Sequence, residues 1–387
     1  MKTALRIGFL PLTDCAILIA AQERGFFEKQ GLQVELQREV SWANIRDRVA
    51  FGELDAAHML APMPLAATLG IDGLGIPMQT AVSLGLNGSA ITLSNNLMAS
   101  IHKQFPEYLQ STPLRATGLK ALQTQTLKRR LVLGCVYPFS QHYYLLRAWL
   151  QDGGFDLATE IDIRIMPPSH MVQALEAGHI DGFCAGEPWN QIAVQTGMGC
   201  VAATSYDLIH NGPDKVLGVT NTWAAAHPDT HLALVSAVLE AAIWLDDARN
   251  RLLFAETLAK PQYLDVPLLS LCAPLQGYYR YALEEPERYV PDFHVFARYA
   301  ANVPWQSHGE YFLQCMQAAG QWHVPIEQAR EALAPVYRVD LYREAAQSLG
   351  LAYPLKDALP AGEYNAPWVL QEASQKIAMG ALTQVLK

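Results

Sequence analysis

At 387 residues the chain is too long for one ordinary core, so two lobes are expected, and with half of it hydrophobic, including 16 Tyr and 8 Trp, disorder is excluded. A formal net charge of −9 argues against nucleic acid as a direct ligand, because neutralising phosphates needs a basic face. A small anion stays open, since one buried cationic pocket can hold it while salt screens charges beyond about 8–10 Å.

Met1-Lys2-Thr3 runs directly into Ala4-Leu5-Arg6-Ile7-Gly8-Phe9-Leu10, which reads as the first strand. No basic n-region, separate apolar stretch or small-residue cleavage site precedes it, and nothing approaches the roughly 18–20 apolar residues of a membrane span, so a cytoplasmic protein is expected. The cysteines (Cys15, Cys135, Cys184, Cys200, Cys272, Cys315) form no CxxC pair and read as small buried hydrophobes of a reducing compartment. Thr13 or Asp14 offers an N-cap for an amphipathic helix through Ile17, Ala21 and Phe26. Gly31 to Leu36 alternates as a strand, a helix opens at Ser41-Trp42 and runs to Gly52, and Asp55 to Leu60 is a short apolar strand. This alternation predicts a parallel sheet with helices on both faces.

Ser94 to Arg129 is polar, helical or loop-like, and suits a crossover. The strand–helix pattern then resumes: Arg130 to Tyr137 strand, Phe139 to Leu150 helix, Ile161 to Met166 strand, Ser169 to Ala177 helix, Asp181 to Ala185 strand. Gly52-Glu53-Leu54-Asp55-Ala56 is echoed by Gly178-His179-Ile180-Asp181-Gly182. Each copy closes a helix and opens an apolar strand that leads to a proline turn, Ala61-Pro62-Met63-Pro64 or Gly186-Glu187-Pro188-Trp189. The echo is weak alone, but with matching strand order on both sides it supports two similar α/β lobes. His227 to Arg251 reads as a long amphipathic helix, and most of the remainder to Lys387 as helical and short of strands. The expected domains are 1–93 with 206–387 as lobe one, carrying the helical C-terminal region, and 94–205 as lobe two, with a ligand cleft between them. His227 and His231 have metal-like i, i+4 spacing but no third ligand, and read as surface histidines at a helix start. Neither a metal nor a cofactor is expected.

The runs Ile7-Gly8-Phe9-Leu10-Pro11-Leu12-Thr13-Asp14-Cys15-Ala16, Ser41-Trp42-Ala43-Asn44-Ile45-Arg46-Asp47, Pro62-Met63-Pro64 and Gly186-Glu187-Pro188-Trp189-Asn190 carry a family resemblance. So do Gly218-Val219 behind Lys215, and Asp340-Leu341-Tyr342-Arg343-Glu344-Ala345-Ala346. Together they resemble the nitrate/bicarbonate-binding (NrtA/CmpA-like) branch of type II periplasmic-binding-protein-like folds, over nearly the whole chain. The resemblance implies a two-lobed α/β fold with an interlobe ligand cleft and a helical C-terminal extension. A member without a signal peptide is similar to NasS-type nitrate sensors. That likeness implies a cytoplasmic sensor of nitrate or nitrite that controls a NasT-type RNA-binding antiterminator in nitrate assimilation, without touching nucleic acid or membrane itself. Signal-bearing members serve nitrate or bicarbonate ABC importers, and an importer's binding component is the rival reading.

The family's ligand positions fall on Trp42, Ser89, His142 and Lys215. Nitrate is a planar monoanion that only accepts hydrogen bonds, so its site needs positive charge, convergent N–H donors, a flat wall and no carboxylate facing it. Trp42 offers a flat face and one N–H. Lys215 supplies charge where bicarbonate-binding relatives resemble a version with Glu, which favours nitrate or nitrite. His142 opens a helix, where free N–H groups and the dipole attract anions. Ser89 departs from the Gln of transporter-linked relatives, so either water or a neighbour such as Gln79 or Gln141 is expected to make up its reach. Glu187 and Trp189 are expected as hinge or supporting residues. Residue by residue, a core Trp, a surface Lys and a helix-surface His are the ordinary alternatives. An enzyme is not expected, for there is no cysteine-rich iron motif, Gly-rich phosphate loop, nucleophile elbow or HExxH.

Overall fold

The computed structural model describes residues 2–111 and 113–382. In chain order its first strands are β1 (Ala4–Phe9), β2 (Gln33–Arg38), β3 (Ala56–Leu60), β4 (Met78–Ser83), β5 (Leu86–Asn87) and β6 (Ser89–Ser94). They are followed by β7 (Leu131–Cys135), β8 (Ile161–Ile165), β9 (Gly182–Gly186), β10 (Gly199–Thr204) and β11 (Lys215–Thr220). Two five-stranded sheets result, ordered β2-β1-β3-β11-β4 and β10-β6-β9-β7-β8. With helices packed around them they form a two-lobed α/β periplasmic-binding-protein-like fold.

Read from opposite ends, the two sheets follow one plan. In each, two strands run parallel to a central one, β2 and β3 to β1, β8 and β9 to β7. Each also accepts a strand that arrives from the other side: β11 lies antiparallel to β3 and β4, and β6 antiparallel to β9 and β10. The sheets are therefore mixed, where a parallel sheet was expected. A crossing chain enters at the ends where the parallel strands stop, so it must run back against them. The expected lobe boundary after residue 93 cuts β6, whose pairing places Ser89–Ser94 in the second sheet.

The five-residue echo has a structural cause. Gly52 and Gly178 both take the left-handed conformation after a helix, with φ of 75° and 70°. Three residues on, Asp55 donates its backbone N–H to Arg6 (2.9 Å) and accepts the Arg6 N–H on its carboxylate (2.9 Å). Asp181 repeats this with Val132, at 2.6 and 2.9 Å. In both lobes the aspartate fastens the start of the outgoing strand to the first strand of the sheet.

Ser41 and Ser140 cap the helices Trp42–Ala50 and Gln141–Asp152, accepting from the N–H of Asn44 and Tyr143. The segment after β6 is built into the second lobe, because Leu97, Ile101, Leu119 and Leu122 pack with Leu131, Leu133 and Trp149. The helix expected from His227 divides in two, Pro228–Asp246 and Ala248–Leu258, where Asp247 caps the second piece. The first piece is buried on most sides against Ile17 and Leu18, so it carries no amphipathic stripe. His231 is buried, not on the surface, its ring 5.7 Å from Trp223 and its pKa lowered to about 4 by burial. Helices Gln306–Ala318 and Val339–Ser348 bear out part of the helical C-terminal reading, but a two-stranded ribbon, Trp368–Leu370 with Ile377–Met379, follows them. Residues 383–387 lie outside the described ones. Of the cysteines, Cys15, Cys135 and Cys184 are buried, whereas Cys200, Cys272 and Cys315 are half-buried. Among the described residues no helix is long and apolar enough to cross a membrane.

Candidate functional site

The entering strands begin at the same place in both sheets. Lys215 opens β11 opposite Leu60, the last residue of β3, and Ser89 opens β6 opposite Gly186, the last residue of β9. Such strand ends are where α/β folds place ligands.

Lys215 is 1% exposed, and its ammonium lies 2.6 Å from Asp214 Oδ2 and 2.8 Å from Asp14 Oδ2. It also stands 5.8 Å from the centre of the Trp42 ring, which the cap at Ser41 places on the first turn of its helix. His58, on β3, reaches within 2.9 Å of Asp14 Oδ1 and meets Trp42 edge-on at 5.1 Å. The second sheet supplies Gln141 and His142 from the first turn of the helix capped by Ser140. His142 Nε2 is 3.8 Å from Asp214 Oδ2. Gly186 marks where the two sheets meet: a Cβ there would stand 3.5 Å from Asp14 Oδ2 and 3.7 Å from His142 Nε2.

Trp42 Nε1, Ser89 Oγ, both amide atoms of Gln141 and both ring nitrogens of His142 are buried without a hydrogen-bond partner. Buried polar groups are nearly always paired, and orphaning one costs ~1–3 kcal/mol. Of these groups, His142 Nε2 lies 3.8 Å from Asp214 Oδ2 and the Trp42 ring 5.8 Å from the Lys215 ammonium. Groups from both lobes thus meet in one buried charge cluster. Gln141 precedes His142 on the same helical turn, and Ser89 lies opposite Gly186 in the strand pair.

Three residues that the sequence reading missed belong to the charge cluster as well: Asp14, His58 and Asp214. The expectation that no carboxylate faces the site fails. Asp14 does not cap the following helix, Ala16–Glu23, which has no side-chain cap; its carboxylate turns to Lys215 and His58 instead. The available signal was position, since Asp14 lies in a motif that carries the resemblance and Asp214 directly precedes Lys215. Burial pushes both carboxyls up, but Lys215 and His58 hold Asp14 well below the usual carboxylate range. Asp214 has only Lys215 to offset its burial and is pushed up to about 6. Burial lowers His58, and burial with Lys215 takes His142 well below the ordinary imidazole range, so both rings are neutral near pH 7. Burial works against the Lys215 ammonium, yet Asp14 and Asp214 raise its pKa above the ordinary value.

Of the supporting residues, Gln141 stands next to His142, whereas Gln79 Oε1 accepts from Arg338 Nη1 at 2.9 Å. Glu187 joins the two lobes. Its carbonyl accepts from the Thr13 N–H at 2.8 Å, and its carboxylate accepts from the Tyr279 hydroxyl and the Gln191 N–H. Burial pushes that carboxyl up to about 7. Trp189 begins the next helix, half-buried, with its indole N–H unpartnered. Among the described residues no group of three His, Cys, Asp or Glu is placed to hold a metal.

Residues 1–259 match the model of the NMT1-like family. The nitrate import ATP-binding protein NrtC of Synechocystis sp. is 40% identical over 357 residues, 90% of this chain and 51% of that protein. The bicarbonate transport ATP-binding protein CmpC of the same organism is 38% identical over 354 residues, 90% of this chain and 50% of that protein. The chain thus spans about half the length of these curated relatives. The crystal structure of the periplasmic nitrate-binding protein NrtA from Synechocystis superposes with a TM-score of 0.83 at 30% identity, covering 90% of this chain and 89% of that one.

Proposed function

The chain belongs to the NMT1-like family, and from that premise we propose that it binds nitrate or nitrite between its lobes and reports the anion to a partner protein. The buried Lys215 ammonium, with the Trp42 ring and His142 gathered at its ion pairs, and the unpartnered polar atoms on Trp42, Ser89, Gln141 and His142 carry this reading. They match an acceptor-only anion, with the Trp42 ring as the flat wall. Lysine at 215, where the resemblance gives bicarbonate-binding relatives a Glu, supports nitrate or nitrite, although the unpartnered Asp214 Oδ1 is an acceptor that the O–H of bicarbonate can use. The test is melting of the purified protein with nitrate, nitrite, bicarbonate and sulfonates. An anion at 100 times its Kd adds about 2.7 kcal/mol of stability. Nitrate is expected to raise Tm and bicarbonate is not; equal shifts with both would remove the argument from Lys215.

The finer reading is a cytoplasmic sensor that holds a NasT-type RNA-binding antiterminator when nitrate-free and releases it when nitrate binds. The support is geometric: an anion that joins Trp42 and Lys215 on one lobe to Ser89 and His142 on the other biases the angle between them. A partner touching both lobes would then bind one angle. If nitrate weakens that partner about 100-fold, some 2.7 kcal/mol, the partner weakens nitrate equally. The names of NrtC and NrtA favour a second reading, a component of a nitrate importer. Co-elution of the chain with the antiterminator, with and without saturating nitrate, separates the two. A complex indifferent to nitrate, or none at all, leaves the importer component.

A further inference from the structure

Resting on the anion reading above, we infer that this site takes up its anion together with one proton, and that Asp214 is the group that receives it. The starting point is a count of buried charge. Lys215 is the cation of the cluster, and it is already matched twice, by Asp14 at 2.8 Å and Asp214 at 2.6 Å. The other titratable groups facing Asp214 bring no positive charge. His142 approaches from the helix after β7, His294 lines a small cavity with Asp14, Asp214 and Lys215, and Cys184 lies on β9. His58 touches the far oxygen of Asp14, and Cys15 follows Asp14 in the chain. Burial drives all these groups toward their neutral forms.

A monoanion added to this set makes three negative charges on one ammonium, in a place where charges are poorly screened. One negative charge must be discharged. Nitrate is the anion of a strong acid and takes no proton near neutrality, so the proton goes to the protein. Asp14 is held ionised by two neighbours, whereas Asp214 has a single cationic partner and is already close to protonation near neutral pH.

Hydrogen bonding leads to the same atom. Asp214 Oδ2 accepts from Lys215, while Oδ1 is buried with neither a hydrogen bond nor an ion-pair contact. The Asp14 oxygens also make no hydrogen bond, but they lie 2.9 Å from His58 Nε2 and 2.8 Å from the Lys215 ammonium. An ionised Oδ1 would meet nitrate as acceptor against acceptor. Once protonated it becomes an O–H donor, the one capability that an acceptor-only ligand needs from it.

Calorimetric titration of sodium nitrate into the full chain at pH 7.5, in two buffers of different ionisation heat, counts the protons. About one proton per bound anion is expected, with Kd weakening about tenfold per pH unit above ~6.5 and levelling below ~5.5. In Asp214→Asn the proton uptake and the slope should both vanish. Nitrate binding with equal heats in both buffers and a flat Kd from pH 5.5 to 8 would overturn this inference and leave the anion reading standing. An Asp214→Asn protein that keeps the slope overturns the assignment to Asp214. No heat with nitrate, nitrite or bicarbonate at any of these pH values would sink the anion reading, and this inference with it.

Discussion

The two lobes bring the same scaffold to the site and opposite chemistry. In each, a serine-capped helix and the first residue of an antiparallel strand face the cleft: Trp42 and Lys215 on one side, Gln141, His142 and Ser89 on the other. The first lobe adds Asp14, His58 and Asp214, so every full charge of the cluster is on that side. The second lobe supplies neutral donors alone. Charge is costly to bury and must be matched within one rigid unit, whereas neutral donors can be carried on a lobe that moves. On the proposed reading, lobe one supplies the attraction for the anion and lobe two the neutral donors.

The strongest way to break this division is Lys215→Met. It leaves Asp14 and Asp214 buried with no cation between them, a loss of about 3–5 kcal/mol, and it removes the attraction for the anion. Thermal unfolding and nitrate calorimetry on the same protein should both register it. An unchanged Tm would mean that the ion pairs contribute nothing to lobe one.

A second test uses pH, because each lobe carries one buried acid that favours its neutral form. Asp214 moves from 3.8 to about 6 and Glu187 from 4.5 to about 7 on folding. For a raised acid the folded state holds the proton longer than the unfolded one, so stability falls as pH rises through that window. The buried histidines, lowered by burial (His231 to about 4, His294 to about 3), push the other way over the same range, so the acid is read by difference. From pH 5 to pH 7.5 the unsubstituted, ligand-free chain should lose on the order of 1 kcal/mol in urea unfolding relative to Asp214→Asn. Asp14, held low, contributes in the opposite direction only below pH 4. Asp214→Asn should remove lobe one's share of the slope and leave the share of Glu187. A stability difference between the two proteins that stays constant across this range would contradict the raised pKa of Asp214.

His142→Ala sharpens the neutral side. It deletes a donor that has no protein partner, so nitrate affinity should drop about tenfold or more while stability falls less than in Lys215→Met. The smallest expected effect is that of Ser89→Ala, a two- to fivefold loss of affinity, or ~0.5–1 kcal/mol, read by the same titration. A Ser89→Ala protein as impaired as His142→Ala would mean that the hydroxyl fully replaces the longer side chain of the relatives.

Local chemistry determined much of this protein from the sequence alone. The strand–helix alternation, the helix opening at Ser41-Trp42 and the Gly-x-x-Asp echo depend on interactions within a few residues or between adjacent strands, and they appear in the fold. Trp42, Ser89, His142 and Lys215 were proposed through motifs, and Trp42, His142 and Lys215 lie together around Asp14 and Asp214. Only the tertiary structure decided what surrounds them. Asp14 reads as a helix cap, because its partner Lys215, about 200 residues away, leaves no trace in local spacing. Long separations in sequence likewise hide the antiparallel insertion of β6 and β11 and the diversion of Gln79 to Arg338. Those outcomes depend on which surfaces the crossing chain brings together, and charge balance, hence proton affinity, exists only after they meet.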